Sequence, residues 1–139
     1  LGLDVISPFG PDGEKCGRLC TTSETTAHGL CNKIKETLGA PCVLCGNPEK
    51  EIRTVALLGG DGKSFISEAL KVGADAFVTG ASGYNAALEA ADRELAVIDA
   101  GHYHTEFLPL VQRMTSLISS AFADVSVAVS GAGCEISCF

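Results

Sequence analysis

Residues 52–106 read IRTVALLGGDGKSFISEALKVGADAFVTGASGYNAALEAADRELAVIDAGHYHTE, and short apolar runs alternate along them with segments of helical period. Extended segments are expected at about 52–58, 75–79 (DAFVT) and 95–99 (LAVID). Helices are expected between and after them at 63–72 (KSFISEALKV), 84–92 and 105–122. Strands and helices alternating at this spacing imply right-handed crossovers and a largely parallel sheet flanked by helices. The fold class is therefore α/β. Working outward, VSVAV at 125–129 reads as a further strand and 41–46 as another, joined to 52–58 by the turn GNPEK. Upstream, a Gly- and Pro-containing lead-in (SPFGPDGEKCGRLC) precedes a helix over about 24–38, capped by Ser23 or a nearby Thr and ending at Gly39.

Composition bounds the chain further. At 139 residues with 46% hydrophobic content, one α/β domain over 1–139 is expected. No apolar run approaches the roughly 18–20 residues of a membrane span, and the amino terminus lacks a basic flank with an apolar stretch behind it. A soluble, cytoplasmic protein is expected, with no membrane partner. The net charge of -7 and the absence of a Lys/Arg cluster disfavour nucleic acid, whose binding needs clustered cations to displace counterions. A small-molecule or metal partner suits the charge better. The chain begins at Leu1 and its only methionine is Met114, so a fragment of a longer protein is expected.

Seven scattered cysteines suit neither a secreted disulfide framework nor a complete structural zinc site. Cys42 and Cys45 form a C-x-x-C, but on a strand residues three apart face opposite sides. They read as small, partly buried apolar side chains. Cys16 with Cys20, and Cys134 with Cys138, have x3 spacing and no nearby His to complete a metal tetrad.

Ligands of open parallel sheets gather beyond the carboxyl ends of the strands. Those ends are Leu58–Gly62, Thr79–Gly83 and Asp99–His102, each carrying glycine, which lets backbone approach a ligand closely. Short strand-to-helix turns also use glycine for their own geometry. The segment GGDGKS ends like a phosphate loop, but the glycine required five positions before Gly62 is Leu57. A dinucleotide fingerprint starting at Gly60 fails at Phe65. Lys63 and Ser64 read as the opening turn of a helix.

In AVIDAGHYHTEF, His102 and Glu106 stand four apart where a strand hands over to a helix. Four residues is just over one helical turn, so an imidazole nitrogen and a carboxylate oxygen project from one face and can converge on one ion. The alternative is that His102 caps the strand end and Glu106 complements the helix amino terminus. His104 lies two from each and points elsewhere on a helix.

With these residues in view, 52–106 resembles the carboxy-terminal half of the Nif-three-like family, the dinuclear metal centre proteins also called GTP cyclohydrolase type-two homologues. The most specific pieces are the GG after the first strand, GADAFVTG and IDAGHYHTE, and CGRLC is similar to a G-x-G-R-I-G segment of the family. The resemblance implies that His102 and Glu106 are metal ligands, with zinc, iron or a similar divalent ion. It implies that the full-length protein holds two ions, using a paired-histidine motif and an aspartate from an amino-terminal half that this chain lacks. It further implies a metal-dependent hydrolase acting on a nucleotide-like or cyclic amide substrate, assembled as a homo-oligomer, a hexamer of dimers. Gly60, Thr79 and Asn85 are the expected substrate contacts, and no catalytic residue is assigned. Ala81 and Asn85 depart from the family's usual acidic residue and histidine. A non-catalytic metal- or ligand-binding regulatory or scaffold module is the competing reading. With two ligands, this chain is expected to bind metal weakly and to be inactive alone.

Overall fold

The structure, a computed structural model, describes residues 1–12 and 14–131. Its centre is β5 (Ala76–Ala81), hydrogen-bonded in parallel to β4 (Glu51–Asp61) on one side and to β6 (Ala96–Asp99) on the other. Strand order across the six-stranded sheet is β1-β2-β4-β5-β6-β3, where β1 is Asp4–Phe9, β2 is Gly17–Thr26 and β3 is Val43–Cys45. The helices are α1 (Ala27–Leu38), α2 (Ile66–Lys71, entered through a 3-10 turn at Lys63–Phe65), α3 (Tyr84–Asp92) and α4 (Leu108–Ala121).

Alternation along the central strands decides the layering. Successive strand residues face opposite sides, so Val55, Ala76, Val78 and Ile98 pack under Leu30 and Ile34 of α1. Their neighbours Ala56, Phe77 and Val97 pack against Phe65, Ile66 and Ala69 of the α2 segment and Ala87 and Ala90 of α3. Small residues on α2 and α3 let both helices approach the sheet. Phe9 closes this second layer, edge-on to Phe65 and Phe77 at 6.3 and 6.2 Å between ring centres.

The α/β class stands, and the parallel strands form the core of a mixed sheet. β1/β2, β2/β4 and β3/β6 are antiparallel. The hairpin β1–β2 occupies the lead-in that reads as turn-rich. Pro8 lies in β1, at the sheet margin, where a strand tolerates a residue without an N–H. β2 is rich in threonine, whose branched side chain suits a strand, and it extends to Thr26. There the Thr26 hydroxyl accepts from the Gly29 amide at 3.1 Å and starts α1 three residues later than expected. The strand expected at 125–129 does not form; Val125 and Val129 are exposed, and no strand among the described residues pairs with them. Alternation alone therefore does not make a strand.

Cys42 packs into the α1 layer and Cys45 into the α3 layer, so the C-x-x-C pair is split across the sheet. Burial first, and then the neighbouring Cys31, push the Cys42 thiol up to about 11. The thiolate that redox exchange or metal binding needs is thus scarce at neutral pH. Cys134 and Cys138 lie outside the described residues.

A carboxylate clasp sets the β4/β5 register. Asp75, just ahead of β5, accepts from the Arg53 and Thr54 amides at 3.0 and 2.8 Å and from the Thr54 hydroxyl at 2.7 Å. Burial opposes the Asp75 charge, but these hydrogen bonds and Lys50 outweigh it and hold the carboxyl below its ordinary value. A depressed folded-state pKa contributes stability that is present above the unfolded value and fades as pH falls through the folded one. Thermal unfolding should therefore show a midpoint that declines below about pH 4. Asp75→Asn should cost about 1–2 kcal/mol at pH 7 and flatten that acid limb, as read by circular dichroism at a series of pH values.

Candidate metal centre

At the carboxyl end of the parallel strands, the backbone leaves β6 through Ala100 and Gly101 and enters a π turn at Tyr103–Phe107, which runs on into α4. Its signature is a hydrogen bond donated by the Leu108 amide to the Tyr103 carbonyl, five residues away. In an α-helix of 3.6 residues per turn, positions four apart are offset by about 40°. The wider turn reduces that offset. His102 Nδ1 and Glu106 Oε2 lie 2.7 Å apart, with 53% and 54% of the two side chains exposed.

The opposite wall is the end of β4. Its pairing with β5 shifts between Leu58 and Asp61, which throws the Gly59–Gly60 backbone toward the π turn. Gly60 has φ 77° and its α-carbon faces the Glu106 carboxylate so closely that any side chain there would overlap it. Three hydrogen bonds fix this approach. The fully buried Thr79 hydroxyl donates to the Gly60 carbonyl at 3.0 Å, and the Gly60 amide donates to Thr105 Oγ1 at 3.2 Å. Thr105 Oγ1 in turn donates to the Gly101 carbonyl at 3.0 Å.

A second brace holds the strand that delivers His102. Asp99, the last residue of β6, accepts from the Ser82 amide and hydroxyl at 2.8 and 3.0 Å through one oxygen. Its other oxygen accepts from the Gly101 amide at 3.2 Å. Asp99, Ser82 and Thr105 escape the sequence reading. Their only signal is position: an acidic residue closing a buried strand, and a hydroxyl between two ligand-type residues.

The expected residues are thus divided. His102, Glu106 and Gly60 come together, and Thr79 supports Gly60 from beneath. Asn85 stands exposed in the first turn of α3, and Ala81 closes β5, its carbonyl accepting from the Gly62 amide at 3.0 Å. His104 turns to Tyr103, ring edge to face at 5.4 Å, and Tyr103 stacks on Phe107 at 5.0 Å. Lys63 opens the 3-10 turn, its amide bonded to Asp61 Oδ1 at 3.0 Å. The π turn begins without a side-chain cap, and the Glu106 carboxylate bonds to His102. An imidazole nitrogen and a carboxylate oxygen side by side form a pair of donors suited to a divalent ion. Among the described residues no group of three or more His, Cys, Asp or Glu could hold a metal.

The family model for Duf34/NIF3 (NGG1p interacting factor 3) matches residues 1–133. The chain belongs to this family. Relatives include the GTP cyclohydrolase 1 type 2 homolog of Nostoc sp., 42% identical over 126 residues, covering 86% of this chain and 48% of the relative. The homolog of Clostridium acetobutylicum is 33% identical over 103 residues, covering 73% of this chain and 38% of the relative. Among solved structures, the Bacillus cereus protein related to NIF3 superposes with a TM-score of 0.76 at 25% identity, covering 88% of this chain and 35% of the other. The chain thus spans less than half the length of these family members.

The Gly60 contact gives a direct test. Gly60→Ala should push the half-exposed Glu106 carboxylate aside at little cost, and its left-handed backbone should cost about 1 kcal/mol. Gly73→Ala, at φ 70° with nothing within 4 Å of the new methyl, should cost about the same. Urea denaturation should show similar losses for the two variants, and a much larger loss for Gly60→Ala would mean that the Glu106 carboxylate cannot move.

Proposed function

We propose that His102 and Glu106 are two ligands of a metal centre completed by the remainder of a Duf34/NIF3 protein, and that the whole protein is a metal-dependent hydrolase. The observation that carries this reading is the 2.7 Å approach of His102 Nδ1 to Glu106 Oε2 on a half-exposed π turn at the ligand-binding edge of the sheet. Two donors with no third among the described residues fit an incomplete site. A divalent ion such as zinc or iron, or a pair of them, would supply Lewis acidity that activates water and polarises a phosphoryl or carbonyl oxygen. His102 and Glu106 would hold it. Thr105 and the Gly60 backbone keep the Glu106 carboxylate in place, and Asp99 with Ser82 keeps the strand end in place from which His102 projects. Substrate would approach over Gly60, with the buried Thr79 acting only through its bond to the Gly60 carbonyl and the exposed Asn85 on α3 as an outlying contact; a nucleotide-like or cyclic amide compound is the class proposed, and the relatives' name carries GTP.

The same reading makes the chain alone a weak metal binder, because affinity and selectivity grow with ligand number. No helix among the described residues is long and apolar enough to cross a membrane, and a reduced cytoplasmic setting suits the free cysteines described. A homo-oligomer, a hexamer of dimers, accommodates this function.

Elemental analysis of the 139-residue chain should show well under one zinc or iron per chain. The full-length protein should carry metal and hydrolyse a member of a nucleotide and cyclic amide panel, and His102→Ala should abolish both. Metal retained by the variant sinks the ligand assignment. Metal binding without turnover across the panel sinks the hydrolase and leaves a binding or scaffold module.

A further inference from the structure

A cavity of about 390 Å³ opens between the edge strand β3 and helix α3, on the side of β6 away from the His102 turn's partner strand β4. Its size falls in the range of small-molecule sites. Val43, Tyr84 and Leu88 form its mouth and are 66%, 78% and 42% exposed. These three side chains gather apolar surface around one hollow. Ala87, Val97 and Cys45 make apolar walls, while Ser82 and Asp99 supply the polar groups.

The charge of Asp99 determines what such a hollow accepts. A carboxylate accepts about four hydrogen bonds, and three are made, by the Ser82 amide, the Ser82 hydroxyl and the Gly101 amide. Oδ1 receives only the last of these. No Lys, Arg or His forms an ion pair with Asp99 among the described residues. A carboxylate with acceptor capacity left, set in apolar walls, favours a cationic donor over a neutral one, because the low-dielectric surroundings strengthen the attraction.

We propose that the cavity between β3 and α3 is a binding site for a small organic cation with an aromatic or aliphatic body, an amidine or primary amine. The ring or chain lies between Val43, Leu88 and the Tyr84 side chain, which also offers its π face to the charge. The cationic N–H groups reach Asp99. This site is separate from the His102–Glu106 pair and needs no metal.

Benzamidine is a suitable probe, and benzamide is its uncharged counterpart of nearly the same shape. In amide correlation spectra of the isotope-labelled chain, benzamidine should shift Leu44, Cys45, Ser82, Leu88 and Asp99 with Kd on the order of 1 mM, as expected of so small a ligand. Benzamide should bind at least about tenfold more weakly, and Leu88→Lys, which puts an ammonium at the mouth, should weaken benzamidine by about as much. Equal binding of the two compounds, shifts confined to other residues, or no saturable shift overturns the proposal. Shifts of these same amides on raising protein concentration without either compound would assign the patch to a second copy of the chain, and also overturn it.

Discussion

β5 is the strand on which the other elements depend. Five of its six residues are buried, it is hydrogen-bonded on both edges, and both of its faces are covered by helices. A strand in that position can carry only apolar side chains or polar ones that find partners inside the protein. AFVTGA meets the condition, with Thr79 as its one polar side chain, and the Thr79 hydroxyl finds its acceptor in the Gly60 carbonyl. The bond that makes the buried threonine tolerable is the same one that fixes the β4 backbone beside Glu106. Core stability and site geometry are therefore not separable here: a change to Thr79 acts on both.

The braces around the site share one pattern. Asp75 ties the entrance of β5 to β4, and Asp99 ties the exit of β6 to the loop after β5. Each carboxylate spends its lone pairs on backbone amides and one hydroxyl, from β4 for Asp75 and from the loop after β5 and the Gly101 amide for Asp99, an arrangement that needs no buried ion pair with its desolvation cost. Asp75 lies at the end of the sheet opposite the site, where its contribution is to stability. Asp99 lies at the end where ligands gather, and its remaining acceptor capacity gives it a second use.

The parallel core was legible because it is the part of the chain where local pattern and tertiary environment agree. The apolar runs at 52–58, 75–79 and 95–99, with helices 63–72 and 84–92 between them, are strands and helices within a few residues. The His102–Glu106 pair was legible because it sits at a strand end, and position there carries more information than the spacing itself. The flanks were not legible. β1 contains Pro8, which reads as a breaker unless its place at the sheet margin is known, and VSVAV at 125–129 alternates correctly but pairs with no strand among the described residues. Asp99 looks like any solvated acid until Ser82, seventeen positions earlier in the chain, is brought against it.

The π turn has a consequence for how the gene can change. A five-residue loop closed by the Leu108 amide on the Tyr103 carbonyl holds one residue more than the α turn it interrupts. Deleting a single codon within 103–105 would let the helix close regularly at no cost to its backbone bonding. It would also leave Glu106 three residues after His102 rather than four, which changes where on their shared face the carboxylate stands. Every side chain of α4 beyond that point would rotate with it. The length of the turn and the Thr105 hydroxyl therefore act together on the carboxylate, the one through helix phase and the other through its bonds to Gly60 and Gly101.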